Sequence, residues 1–391
     1  MSDFSRRQAL GGLLVVSPAT AFGYQANSKV SFGIIGTGGR GVYVGTHMTN
    51  DANAKLGAIC DIYPDKIDQG KSKIPGGDQV KAYRDMNELL ARPDIDAVLI
   101  ATPVYLHPDH FALAVQAKKH IYCEKPGGAS VKGVKKLLAA GKAADPSKTI
   151  QFGFQQRYSP EYLKAWSIYK EGKIGDVKQL TSYWILGNEP PKAAPVNNFP
   201  KEEEKIRRWG SWRETSGGPI VEQDCHGIDT LNWWAGAHPT RAIGTGGLRY
   251  PIPYGDWTSD HHNITYYYPG GIEGWLISVK HTAGYRDVKE QVYGSKGMLE
   301  LSRTYYKWHC MIPSAPLKNA DDLRDRSLTE RGDSKREITI DAIEVFFKSI
   351  IDKKPHNMTQ DAADSTFTAL LGRMAFEQKR EVTWDEMLRS E

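Results

Sequence analysis

A chain of 391 residues exceeds the usual size of one domain, and its 40% apolar and 25% charged residues are the balance of a globular protein, not a disordered or fibrous one. The net charge of +5 is scattered in short clusters such as Lys135-Lys136, which does not indicate a nucleic-acid surface. Cys60, Cys123, Cys225 and Cys310 lack metal-ligand spacing and the density of a disulfide framework, so they read as small buried hydrophobes and no metal site is expected.

The chain opens on FSRRQALGGLLVV, residues 4–16. Arg6-Arg7 precede an apolar run of eight residues, and Ala19-Thr20-Ala21 follows as a small-residue cleavage site. Charged, apolar and small segments in this order make a secretory signal, too short to span a bilayer. Ser5-Arg6-Arg7-Gln8-Ala9-Leu10 resembles the twin-arginine signal, which addresses folded proteins for export. Residues 1–28 are therefore expected to be a leader and linker, and the protein to be exported to the periplasm. No other segment approaches membrane-spanning length.

Residues 29–157 alternate short apolar runs with helical stretches. KVSFGII, AKLGAIC, DAVLIAT, HIYCEKP and TIQFGFQ read as buried strands, with patterns such as HFALAVQAKKH between them. This repetition predicts a doubly wound parallel sheet of the Rossmann type. At the end of the first strand, Gly36, Gly38 and Gly41 form G-x-G-x-x-G, with Gly39 and Arg40 inside it. Bare glycine backbone at a helix N-terminus can approach a dinucleotide pyrophosphate. Asp61 ends the next strand, where an acid suits the ribose hydroxyls of NAD and repels the extra phosphate of NADP. Asp61 could also be a simple turn residue, and Arg40 could serve a phosphate. NAD is expected, NADP less so.

Glu124-Lys125-Pro126 closes a later strand, on the side of the sheet where such folds bind ligands. A lysine beside a nicotinamide can shuttle the proton of a hydroxyl whose carbon gives up hydride. A surface lysine is the alternative. The proline also permits a cis peptide bond.

Beyond residue 158 the texture changes. PEYLKAWSIYKEG, TIDAIEVFFKSIIDKK and QDAADSTFTALLGRMAFEQKR read as helices. DVKQLTSYWIL, RAIGTGGL, NITYYYP, EGWLISVKH and GMLELS read as strands of a mostly antiparallel sheet. Residues 158–391 are thus expected to form an α+β domain for substrate and oligomer contacts, with some of its many tryptophans and tyrosines as stacking platforms for a sugar. In GGPIVEQDCHGID, a helix from Val221 would place Glu222 and His226 on one face. Such a pair can relay a proton or orient a hydroxyl, or it can be purely structural. His261-His262 is expected in a solvated loop before a strand.

Taken together, the glycine motif, Asp61, Ala101-Thr102-Pro103 with His107, Glu124-Lys125-Pro126 and the acid-histidine segment resemble the Gfo/Idh/MocA oxidoreductases, from Lys29 to the C-terminal helices. The resemblance implies that Lys125 is catalytic and that His226 is a second catalytic or orienting residue. Members usually carry aspartate four residues before that histidine; this chain has Glu222 there and Asp224 close by. It also implies that Gly36, Gly38, Gly39, Arg40, Gly41, Asp61, Thr102, His107, Glu124 and Lys125 line the cofactor. Arg157, Tyr158 and Asp224 would line the substrate, and the open sheet of the second domain would make a dimer or tetramer.

The expected activity is hydride transfer between a carbohydrate CH–OH and a tightly held nicotinamide cofactor. Outside the cytoplasm free NAD cannot be replenished, so an enzyme exported folded would carry its cofactor along. A redox-neutral NAD-dependent glycosidase or lyase, working through a transient keto-sugar, is a second possibility. A non-catalytic sugar or nucleotide sensor is a third.

Overall fold

The computed structural model describes residues 29–189, 199–250, 252, 254–310 and 327–390. The expected leader, residues 1–28, lies outside them.

Strands β1 (Ser31–Ile35), β2 (Lys55–Cys60), β3 (Lys81–Tyr83), β4 (Ala97–Ile100), β5 (His120–Cys123) and β6 (Ile150–Phe152) form a parallel sheet in the order β3-β2-β1-β4-β5-β6. All of β4 is buried. Its Val98 and Ile100 join one apolar cluster and its Ala97 and Leu99 another, because helices cover both faces of the sheet. The five expected runs are all strands; β3 was not expected, having only three residues and no apolar run. The strand order reverses between β1 and β4, which opens a ligand crevice beyond their carboxyl ends.

The second sheet contains β7 (Val177–Asn188), β8 (Arg241–Gly247), β9 (His261–Tyr267), β10 (Glu273–His281), β11 (Asp287–Gly294), β12 (Gly297–Leu301), β13 (Tyr305–Cys310), β14 (Leu328–Asp333) and β15 (Val382–Thr383). Their order is β14-β13-β12-β11-β7-β10-β9-β8-β15. The central pair β7–β10 is parallel and the other pairings are antiparallel. On the inner face Leu180, Leu276, Ile264 and Val292 pack under the helices Cys225–Ala235 and Thr359–Gln378. The outer face is open and carries the exposed Trp275 and Ile243. The strands missed in the sequence include β11, whose polar DVKEQVYG hides its inward face: Glu290 is buried in it.

The boundary expected at residue 158 is crossed by the far end of the chain. Ile343, Phe346 and Phe347 of the helix Ile338–Ile351 pack with Phe32, Ile34 and Tyr122 of the first sheet. Phe347 meets Phe32 with ring centroids 5.9 Å apart, and Phe346 meets Tyr122 at 5.6 Å.

Candidate functional site

The loop after β1 has no room for side chains where it turns and open space where a ligand would lie. Gly36 has φ +93°, and a Cβ there would fall 2.7 Å from the Ala101 carbonyl oxygen. A Cβ on Gly41 would fall 1.9 Å from the carbonyl oxygen of Gly36. By contrast, Gly38 and Gly39 face open space. Gly38 caps the helix Gly39–Asn50 without any side chain on its free N–H groups. Backbone amides, a positive helix end and no obstructing Cβ fit a pyrophosphate. Asp61 stands against this loop: one oxygen accepts from the Thr37 amide at 2.9 Å, the other from the Tyr63 amide at 3.1 Å. A carboxylate can accept about four hydrogen bonds, so capacity remains for ribose hydroxyls.

Arg40 is engaged within the protein. Its Nε lies 2.9 Å from the Glu124 carboxylate, which is buried at the end of β5. This pair ties the glycine loop to the segment carrying Lys125. His107 and Thr102 shape the crevice from behind. The His107 ring is buried, with Nδ1 2.7 Å from the Pro126 carbonyl and Nε2 2.9 Å from that of Thr102. It braces two strand ends and does not reach into the crevice. The Thr102 hydroxyl bonds to His110 Nδ1 at 3.0 Å.

Lys125 projects from the end of β5 across the domain junction, and the Lys125–Pro126 peptide is cis. Its Nζ lies 3.2 Å from Glu222 Oε1 and also donates to the Glu222 carbonyl. Burial works against the charge on Lys125, but the carboxylates of Glu222 and Glu124, with Cys225, outweigh it and move its pKa upward. The ammonium form is therefore favoured.

Glu222 and His226 do not share a helix face. The short helix Pro219–Glu222 ends at Gln223, and a new helix, Cys225–Ala235, begins after Asp224. The break leaves the Glu222 carbonyl without a helical partner and turns it to Lys125. His226, in the next helix, stacks its imidazole on the Trp184 indole, with centroids 5.5 Å apart and planes 18° from parallel. Phe154 meets the imidazole edge-on at 6.2 Å. Burial, reinforced by the cations Lys125, Arg303 and Arg40, holds the His226 pKa well below its ordinary value. The ring is neutral at physiological pH. Its Nδ1 is sealed in the interior without a partner among the described residues, which leaves Nε2 as the nitrogen available to a ligand.

The three expected substrate residues have other duties. Arg157 spans both oxygens of the buried Asp229, at 2.8 and 2.9 Å, and contacts Asp361 at 3.2 Å. Tyr158 donates its hydroxyl to Met358 Sδ at 2.6 Å and packs into the apolar cluster under the first sheet. Asp224, 1% exposed, accepts from Ser278 at 3.0 Å and pairs with His262 Nδ1 at 3.1 Å. His262 is thus not in a solvated loop; it lies in β9, buried, with Nε2 2.7 Å from the Ser259 hydroxyl. Among the described residues no group of His, Cys, Asp or Glu is arranged to hold a metal ion. No helix among them is long and apolar enough to cross a membrane.

Trp184 was not singled out from the sequence. The alternation Leu180, Ser182, Trp184 along β7, with all three buried, was the available signal that the indole faces inward. Arg303, 5.5 Å from that ring, comes from the β12–β13 turn and carried no signal.

Known proteins share this fold. Residues 30–153 match the model of an oxidoreductase family with an NAD-binding Rossmann fold, and residues 169–379 that of its C-terminal α/β domain. Inositol 2-dehydrogenase of Rhizobium meliloti is 27% identical over 271 residues, 68% of this chain and 74% of that protein. The fold matches scyllo-inositol dehydrogenase from Lactobacillus casei with bound NAD(H) and scyllo-inositol, at TM-score 0.68 and 22% identity, over 92% of this chain and all (100%) of that one. It also matches levoglucosan dehydrogenase in complex with NADH and levoglucosan, at TM-score 0.75 and 17% identity, over 91% of this chain and 99% of that one.

Proposed function

The chain belongs to the Gfo/Idh/MocA oxidoreductase family, and from that premise we propose that it is an NAD-dependent dehydrogenase acting on a CH–OH group of a carbohydrate or cyclitol. The observation that carries this reading is the charged Lys125, held by Glu222 at the end of β5, beside a buried neutral His226. NAD, when bound, would supply the hydride acceptor. The chain's own residues do the rest. The amides around Gly38 and Gly39 would hold the pyrophosphate. Nε2 of His226 takes the hydroxyl proton as the carbinol carbon loses its hydride and becomes a carbonyl. Lys125 stays protonated and stabilises the negative charge that develops on the oxygen. Glu222 fixes the Lys125 ammonium in place. The buried ring of Trp184 orients His226 by stacking on it.

The relatives named above act on inositols or levoglucosan, compact polyhydroxylated rings. A panel of inositols, hexoses and their derivatives, followed at the NADH absorbance with products identified, tests the reading. NADH formed in step with a keto product supports it. Cleavage of a glycoside without net NADH would replace it with the redox-neutral mechanism.

The leader supports export by the twin-arginine route, with the dinucleotide bound before translocation and kept through turnover. The exposed Trp275 and Ile243 on the open sheet face support a homodimer or tetramer built on that face.

A further inference from the structure

Lys280 is a second lysine on the side of the second sheet that carries Trp184. It lies on β10, whose residues Gly274, Leu276 and Ser278 are buried in alternation, so Lys280 continues the inward face. Ser278 stands opposite Trp184 in the β7–β10 ladder, and Lys280 follows two residues on, where the register shifts between Val279 and His281. The Trp184 ring is the one that stacks on His226. The Lys280 ammonium sits 3.5 Å from the centre of the Trp257 ring, and that ring is pinned by its Nε1–H bond to the Gly210 carbonyl at 2.8 Å. Ser278, two residues before Lys280 on β10, donates to Asp224, two residues after Glu222, so this end of β10 lies against the segment that carries Glu222.

The acids nearby are already occupied. Glu222 is paired with Lys125, and Glu124 with Arg40. Asp224 is held by Ser278 and His262. Asp260 accepts from the Arg249 and Tyr250 amides and pairs with His261. Among the described residues Lys280 has no hydrogen-bond or ion-pair partner, only the Trp257 ring. Burial draws its pKa down to about 8, against the pull of Glu222, Asp224 and Asp260. A half-buried ammonium without a counter-ion is unfavourable in the free protein, and an anion delivered beside it would be held by a charge-assisted hydrogen bond. A neutral sugar bound there would leave that charge uncompensated.

We propose that Lys280 anchors an anionic group of the substrate, so that the ring oxidised beside Lys125 and His226 belongs to an acidic sugar carrying a carboxylate or a phosphate. This rests on the dehydrogenase reading for the chemistry, but not for the binding. Lys280 is a specificity residue that touches the substrate away from the reacting carbon, and Trp257 sets the direction of its ammonium.

The test is calorimetric titration of the NAD-loaded protein with a panel of hexuronates, the parent hexoses and the hexose 6-phosphates. At least one acidic sugar should bind about tenfold or more tighter than its neutral parent. The discrimination should vanish in Lys280→Gln and persist in Lys280→Arg, with retained NAD binding as the check on folding. A uronate preference identifies the anion as a carboxylate, and a preference for the 6-phosphate identifies it as a phosphate. Equal affinity for acidic and neutral members throughout the panel overturns the inference, as does discrimination that survives in Lys280→Gln. NADH formation is read separately. Acid-selective binding without NADH would defeat the dehydrogenase reading alone, and NADH from neutral sugars without selectivity would defeat this inference alone.

Discussion

The Arg157 guanidinium is clamped onto both oxygens of Asp229, at 2.8 and 2.9 Å, where the segment leaving the first sheet meets the helix Cys225–Ala235. Ser365 adds a third bond to Asp229 at 2.7 Å. A sequence motif at the domain junction suggested a substrate ligand; the structure puts a buried ion pair there. Replacing Arg157 with Met leaves Asp229 buried and uncompensated, which should cost about 3–5 kcal/mol of stability. The melting temperature should fall while KM for the substrate stays near its original value. A raised KM at unchanged melting temperature would return Arg157 to the substrate site.

Lys125→Ala should lower kcat about a hundredfold or more while the affinity for NAD is kept, since the glycine loop is untouched. Cofactor titration and steady-state kinetics on the same preparation separate the two effects. Near-normal turnover would remove Lys125 from the chemistry.

For His226 the sign of the pH effect follows from its depressed pKa. The unfolded chain takes up this proton near pH 6.5, before the folded protein does. The stability tied to a neutral His226 is thus fully present above about pH 6.5 and declines as pH falls below it, by at most about 1.4 kcal/mol per pH unit. Wild type should therefore lose ground against His226→Phe as the pH is taken from 7.5 to 5.5, in parallel denaturant melts. A constant gap would mean that the folded imidazole keeps its ordinary pKa, and a gap that moves in favour of wild type would mean that the folded imidazole is charged. The kcat/KM profile should likewise show no His226 limb between pH 8 and about 6.5.

If Asp61 faces the adenosine ribose, Asp61→Ser should relax a preference for NAD over NADP, because it removes the carboxylate that would repel the extra phosphate. Affinities for both cofactors, measured on wild type and variant, decide this. Tighter NADP binding by the unaltered protein would defeat the assignment.

A reporter fused behind residues 1–28 should leave the cytoplasm by a route sensitive to Arg6→Lys with Arg7→Lys. The mature protein should keep its dinucleotide absorbance through dialysis, which calls for a dissociation constant near or below about a nanomolar. A cytoplasmic reporter would end the export reading, and an empty dialysed protein would end the retention reading.

The first sheet was legible because each of its longer strands is buried on both faces and so reads as an unbroken apolar run. The glycine loop, Asp61 and Lys125 were legible for a related reason: they sit at strand ends, where backbone geometry dictates residue type. The second sheet was legible only in part. In β11, Glu290 faces inward and donates nothing to an apolar pattern; burial pushes its pKa up to about 7, and it accepts from the Tyr162 hydroxyl. The Glu222–His226 spacing misled because periodicity assumes an unbroken helix, and a break at Asp224 leaves no mark on apolar spacing. Trp184, Arg303 and Lys280 come from separate strands and a turn, and only the three-dimensional pairing of β7 with β10 brings two of them to neighbouring strands.

The helix Ile338–Ile351 gives the nucleotide-binding sheet part of its core from a segment about three hundred residues downstream of β1. On the ribosome, the first strands emerge long before Phe346 and Phe347 exist to cover Tyr122 and Phe32. The nucleotide-binding half must wait for nearly the whole chain before its interior is closed, and its exposed apolar face is a target for chaperones in the interval. A truncation before residue 338 should therefore yield no stable fragment from the N-terminal half. Closure of this core is therefore completed only after synthesis of the C-terminal helices.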